Sequence, residues 1–155
     1  MILIDANLLI YAYDASSTHH GPARGWLEEV LSAPVPVCLP WASILAFLRI
    51  TTDRRILRKP FSAREAAGIV EEWLAVPTVR VPEATSRHWQ ILQRLITGDQ
   101  ATGPLVADAH LAALAIEHGA ELHTTDRDFS RFEGLRWSNP LSRPEVVHDP
   151  RRRGG

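Results

Sequence analysis

Apolar and polar positions alternate along the chain in two rhythms, short all-apolar runs and longer stretches with helical spacing. Ile2-Leu3-Ile4 is a run of the first kind and suits a strand buried on both faces. The spacing then turns helical from Asn7 to Tyr13. Pro22 fits a first helical turn, and Ala23, Trp26, Leu27, Val30 and Leu31 behind it share one helix face. Val37-Cys38-Leu39 is a second short strand, followed by a helix from Trp41 to Ile50 that is apolar nearly all round and should be central. Ser62 and Glu65 have the spacing of a capping box ahead of Ala66, Ile69, Val70, Trp73 and Leu74. Val79-Arg80-Val81 predicts a third strand, and Trp89, Leu92, Leu95 and Ile96 the helix after it. Thr97 to Pro104 is a loop. A helix opened by Pro104 runs to His118 and stops at Gly119. Glu121 to Thr124 is a strand candidate, Asp126 to Phe132 a turn or short helix, and Leu135-Arg136-Trp137 a last strand.

Short strands alternating with helices predict an α/β domain, with a mainly parallel sheet covered by helices on both faces and joined by right-handed crossovers. The 155 residues suffice for one hydrophobic core without disulfides or a structural metal. With 45% hydrophobic and 23% charged residues, the composition is that of an ordered globular chain. The domain is expected over residues 1–141, with residues 142–155 as a flexible basic tail. No stretch reaches the ~18 apolar residues of a membrane span: the longest candidate, Val37 to Ile50, carries Pro40, Ser43 and Arg49. The N-terminus lacks the basic flank of a signal peptide, so a cytoplasmic protein is expected. The single Cys38 lies in an apolar run, which predicts a buried reduced thiol.

A net charge of −1 gives the whole molecule no strong attraction for nucleic acid, so such binding must come from local patches. One is Arg54, Arg55, Arg58 and Lys59; the other is Arg151 to Arg153.

In open parallel sheets, sites form at the carboxyl ends of the strands. Asp5 directly follows the first strand and Asp126 the strand ending at Thr124 and Thr125, while Asp108 lies in the first turn of the Pro104 helix on a face shared with Leu111, Ala112 and Ala115. Each has a structural alternative: Asp5 as cap of the Asn7 helix, Asp108 as a favourable charge at a helix start, Asp126 or Asp128 as turn residues. Their joint placement favours a site. Two carboxylates ~4 Å apart at an effective dielectric of ~20 repel by roughly 4 kcal/mol, which a cation between them relieves. Oxygen-only ligands favour magnesium or manganese over zinc. Water activated by such an ion can attack a phosphodiester, which makes phosphodiester hydrolysis the expected chemistry. Asn7 is a candidate to orient Asp5, and Thr124 or Thr125 to orient Asp126.

Ile4-Asp5-Ala6-Asn7-Leu8-Leu9, Val106-Ala107-Asp108-Ala109-His110-Leu111 and Thr124-Thr125-Asp126-Arg127-Asp128-Phe129 resemble, in order and spacing, the three signature blocks of PIN-domain ribonucleases, and the whole resembles the VapC toxins of bacterial toxin–antitoxin pairs. The resemblance covers residues 1–141. It implies a three-layer α/β/α domain that cuts RNA with magnesium or manganese, forms a homodimer and is silenced by a VapB-type antitoxin. It makes Asp5 and Asp108 the principal metal ligands, with Asp126 and Asp128 as the later acidic group. One match fails. The acid such domains carry in the helix after the second strand is replaced here by Ala46, and Asp53 lies ~10 Å further along, too far to substitute. That leaves open one metal ion or two. Arg49, one turn from Ala46, and Arg54 and Arg55 are candidates to bind RNA phosphate, Arg49 alternatively pairing with a surface carboxylate. His110 should point away from the Asp108 face, His19 and His20 should shape a helix start, and Trp41 and Trp137 near strand ends are candidates to stack on bases.

Two rival classes remain. An aspartate-nucleophile phosphatase wants a second Asp where this chain has Asn7, and a receiver domain wants a Lys on a late strand, whereas the one lysine is Lys59. A non-catalytic RNA-binding module of the same fold takes its support from Ala46.

Overall fold

The computed structural model describes residues 1–142. The expected tail and the Arg151 to Arg153 patch lie outside the described residues, apart from Ser142. Five strands form one sheet: β1 (Ile2–Ile4), β2 (Val37–Cys38), β3 (Val79–Arg80), β4 (Glu121–His123) and β5 (Trp137–Ser138). Six helices connect them: α1 (Ala6–Tyr13), α2 (His20–Ser32), α3 (Trp41–Thr51), α4 (Ala63–Ala75), α5 (His88–Gly98) and α6 (Leu105–Glu117), with a short 3-10 helix at Arg127–Arg131. The strand order is β3-β2-β1-β4-β5, and every pairing is parallel.

This order follows from burial. Leu3 and Ile4 are both inaccessible to solvent yet point to opposite faces, so β1 must be covered on both sides, as the all-apolar run requires. Ile4, Val37 and Leu39 pack with α1, α2, α3 and α4; Leu3, Cys38 and Leu122 pack with α5 and α6. The molecule is thus the expected three-layer α/β/α domain, with four helices on one face and two on the other. Cys38 is a buried free thiol. On the four-helix face the Phe47 and Trp73 rings meet edge-on at 4.6 Å, and Trp73 Nε1 donates to Tyr13 Oη at 3.3 Å. Truncating Phe47 to Ala would cost about 3–5 kcal/mol.

Several local signals hold. Ser62 and Glu65 form the reciprocal capping box at 3.1 and 3.0 Å, and Gly119, at φ +64°, ends α6 in the left-handed conformation that favours glycine. Boundaries differ by a residue or two. α2 starts at His20, ahead of Pro22, because His20 Nδ1 bonds to Tyr11 O at 3.0 Å while the His19 ring packs on Tyr11 at 4.8 Å. β5 is Trp137–Ser138 rather than Leu135 to Trp137: Leu122 N–H bonds to Arg136 O and Thr124 N–H to Ser138 O, which sets the ladder further along.

For the site, two features of this frame matter. The sheet's order reverses at β1, so β1 and β4 flank the switch point where a crevice opens at the strands' carboxyl ends. α6 buries Ala109, Ala112, Ala113 and Ala115, and such small side chains let a helix axis approach its neighbours closely. That brings Asp108, in its first turn, toward the end of β1.

Candidate active site

Asp5 is the residue at which β1 becomes α1. Its N–H donates to His123 O at 3.1 Å, tying it to the end of β4. Its Oδ1 accepts from Ala6 N at 2.7 Å as the cap of α1, and its Oδ2 accepts from Thr124 Oγ1 at 2.7 Å. Capping and site geometry therefore coincide in one residue. A carboxylate offers about four lone-pair positions, so two remain open. The Thr124 hydroxyl, wholly buried, also accepts from Asn7 Nδ2 at 3.1 Å and from Asp126 N at 3.0 Å. Thr124 is thus the hub that fixes Asp5 against the segment carrying Asp126. Asn7 reaches Asp5 only through it, and the orienting role falls on Thr124 while Thr125 makes no side-chain hydrogen bond among the described residues. Asp126 Oδ1 accepts from Asp128 N at 2.8 Å, opening the 3-10 helix.

Asp5 and Asp108 line one cavity of about 150 Å³, whose other walls are Ala6, Ala42, Ser43, Ala46, Ala107 and Leu111. Ser43, buried at the start of α3, donates to Ile4 O at 2.7 Å and pins that helix to the end of β1. Ala46 stands in this wall, where the family pattern would place an acid. Trp41 and Leu45, one turn apart on α3, are 53% and 59% exposed beside it.

The electrostatics of the cavity are those of crowded acids. Burial raises the Asp5 carboxyl above its ordinary value; the Thr124 and Ala6 hydrogen bonds oppose this, and the Asp126 charge adds to it. Asp108 is raised to about 6, first by burial, then by the charges of Asp126, Asp5 and Asp128, with Arg131 pulling the other way. All four sequence-predicted aspartates therefore act on one locus, two on the cavity wall and two beside it.

Among the described residues no three His, Cys, Asp or Glu side chains are gathered closely enough to ligate one ion together. A hard divalent cation does not need three. Magnesium is commonly bound through one or two carboxylates and keeps several waters. Asp5 and Asp108 provide such a pair, with oxygen donors only. Asn7 Oδ1, buried without a partner in the same hydrogen-bonded cluster, is a further acceptor in want of a donor. The residues present fit the ion.

The other candidates fall elsewhere. Arg55 forks onto Asp53 at 3.1 and 3.0 Å, and these bonds, with the charge of Arg49 as a lesser cause, hold Asp53 below the usual carboxylate range. Arg49 and Arg54 are exposed and make no ion pair among the described residues; none of the three arginines lines the cavity. His110 Nδ1 meets His88 Nε2 at 2.9 Å, and His88 Nδ1 meets Glu117 Oε1 at 2.8 Å. This cluster clamps α5 to α6 and joins residues whose pairing the sequence does not signal. Thr124 was discernible as a polar residue ending an apolar strand, and Ser43 only as a polar residue in an otherwise apolar helix.

Comparison with known proteins adds to this geometry. The model of the PIN domain matches residues 2–135. The chain is 42% identical over 140 residues to ribonuclease VapC37 of Mycobacterium tuberculosis, covering 90% of this chain and 97% of that protein. In fold it is similar to the VapBC2 structure from Rickettsia felis, bound to a fragment of its promoter DNA, at TM-score 0.67 and 16% identity over 90% of this chain and 98% of the other. It is similar too to VapC20 of Mycobacterium tuberculosis, described as a toxin cleaving the sarcin-ricin loop, at TM-score 0.61 and 24% identity over 88% and 99%.

Proposed function

The chain belongs to the PIN-domain family, and from that premise we propose that it is a metal-dependent endoribonuclease, the toxin of a toxin–antitoxin pair held silent by a VapB-type antitoxin. The observation that carries the reading is that Asp5 and Asp108, from the first strand's end and a helix near the end of the chain, share one cavity and are both pushed up in pKa by burial and by neighbouring carboxylates. Acids so crowded are matched to a cation. The ribonuclease name of a relative at 42% identity supports the choice of RNA as substrate. Among the described residues no helix is long and apolar enough to cross a membrane; action in the cytoplasm is part of the proposed reading. A homodimer is part of the same reading.

In this mechanism Asp5 and Asp108 are the carboxylates that hold magnesium or manganese. When bound, that ion supplies a water of lowered pKa and neutralises charge developing on the phosphoryl group. The chain's own contribution is placement. Thr124 fixes the Asp5 carboxylate, Asn7 fixes Thr124, and Ser43 fixes the wall opposite. Asp108, raised to about 6 without the ion, must give up its proton to take one, so the metal needed to fill the site rises as pH falls below that value. Asp126 and Asp128 add negative charge that favours the ion over RNA alone. Arg49 and Arg54, exposed and uncommitted, are placed in this reading as phosphate contacts, whereas Arg55 must first leave Asp53.

The test is cleavage of a structured RNA pool by wild type and by Asp5→Asn and Asp108→Asn variants, with magnesium, manganese or chelator, folding being checked by circular dichroism. Cleavage that needs metal and both aspartates, leaving 5′-phosphate and 3′-hydroxyl ends, is expected. Ends carrying 2′,3′-cyclic phosphate would sink the metal-water mechanism.

A second reading, an RNA-binding module without catalysis, draws on Ala46 in the cavity wall and on the two-carboxylate character of the site. RNA binding that survives chelation, with no cleavage under any divalent ion, would favour it.

A further inference from the structure

A second cavity, of about 430 Å³, opens at the β5 edge of the sheet and is lined by Arg127, Ser130, Trp137, Ser138, Asn139 and Ser142. We infer that it is a nucleotide-reading subsite, which accepts one unpaired base of the RNA next to the cut and sets the base preference at that position. The inference rests on the ribonuclease reading for the identity of its ligand, but on separate residues.

Position argues for it first. The β4–β5 ladder runs up to the bond from Thr124 N–H to Ser138 O. The chain therefore leaves β5 at Asn139 alongside the segment Thr125 to Asp128, the one that carries the acids flanking Asp108. Arg127 of the cavity wall directly follows Asp126, so the cavity is built on the same segment as the acids whose charge reaches Asp5 and Asp108.

Chemistry argues for it next. Pockets for small ligands run from about 300 Å³ upward, which admits a nucleotide. Trp137 packs only in part against the core beneath it, so its indole retains exposed face on which a base can stack. The exposed Arg127 guanidinium makes no ion pair among the described residues and is free for a phosphate. Asn139 is oriented: its Oδ1 accepts from Leu141 N at 2.9 Å, and its Nδ2 donates to nothing among the described residues. An amide held by one end presents a fixed donor, and a fixed donor distinguishes base edges, whereas a stacking surface alone accepts every base. Stacker, cation and oriented donor together are what a single-stranded base needs to be held and read.

The experiment measures binding, so that it does not depend on cleavage. Anisotropy of four labelled RNA homo-oligonucleotides is followed with the full chain in chelator, for wild type and for Asn139→Ser, Trp137→Phe and Arg127→Ala. Wild type is expected to favour one base at least about fivefold. Asn139→Ser, which keeps a hydroxyl to accept from Leu141 N–H, abolishes that ranking. Trp137→Phe weakens all four modestly with the ranking kept, and Arg127→Ala weakens all four alike and lowers the salt slope by about one. Variants that bind with wild-type affinities and ranking overturn the proposal, as does a wild type without base preference. An antitoxin peptide that loses affinity to Asn139→Ser while RNA binding is untouched would also overturn it and give the cavity to a protein partner. Wild type that ranks the bases as expected but cleaves no RNA would leave the subsite standing and defeat the ribonuclease reading instead.

Discussion

The hydroxyl of Thr124 donates to Asp5 Oδ2 at 2.7 Å, joining residues 119 positions apart at the adjacent ends of β4 and β1. Because the same oxygen accepts from Asn7 Nδ2 and Asp126 N, one buried atom holds three elements of the acidic site. Thr124→Val keeps the shape and removes the hub. The expected result is a loss of about 1–3 kcal/mol in denaturant titration, from donors and acceptors left unpaired, together with a higher metal requirement for cleavage. Thr124→Ser should restore both; a Val variant with unchanged metal dependence would remove Thr124 from the site.

Ala46 faces the cavity that Asp5 and Asp108 line, so Ala46→Glu adds a carboxylate where the family pattern carries one. The metal concentration for half-maximal cleavage should fall by about tenfold or more, since ligand charge tunes such affinities over decades. In chelator the same variant should melt lower than wild type, from added repulsion. No shift in either quantity would mean that position 46 does not sense the ion.

Asp108, pushed up to about 6 by burial and by its acidic neighbours, gives a pH dependence with a defined sign. Its folded-state pKa lies above its unfolded one, so its contribution to stability is fully present below the unfolded value near 3.8 and is lost as pH rises through about 6. In chelator, the melting temperature of Asp108→Asn relative to wild type should therefore rise between pH 4 and pH 7. Saturating magnesium at pH 7 should raise the wild type's melting temperature and that of the variant much less. A difference that stays flat across this range would mean that Asp108 is not held among like charges.

The Glu117 side chain is fully buried between His88 and Thr85, and its loss should be felt as stability rather than as chemistry. Glu117→Ala should cost about 1–3 kcal/mol by leaving the hydrogen-bonded histidine pair without its acceptor, while KM for RNA stays within about twofold. A large change in KM at full folding would tie the cluster to substrate instead.

Why these aspartates were legible in the sequence, and their supports less so, comes down to range. Asp5 and Asp126 follow apolar runs, and Asp108 shares a helix face with Leu111 and Ala112, so local periodicity alone sends all three to one edge of a parallel sheet. The choice between Thr124 and Thr125 depends on register, and in a strand of three residues a slip of one exchanges the two faces. The start of β5 shifted for the same reason, since Trp137 pairs with Leu122 and nothing local marks where that ladder begins. His88 and His110 meet across two helices, 22 positions apart, by tertiary packing that no spacing rule anticipates. Ala46 was legible only as an absence, and the structure gives that absence a place in the cavity wall.

Translation reaches the two halves of the switch point at very different times. β1 and its Asp5 are made first, but their partner strand β4 comes only after β2, β3 and all six helices. A nascent chain that has emerged through α4 can already bury most of the four-helix face, yet it has neither Asp108 nor Thr124 with which to complete the acidic cavity. Assembly of the site is thus coupled to a late, long-range closure in a fold whose parallel pairings are all distant in sequence. Prematurely ended chains would carry Asp5 without its counterparts, so on the reading proposed above the acidic cavity is complete only once nearly the whole domain has left the ribosome.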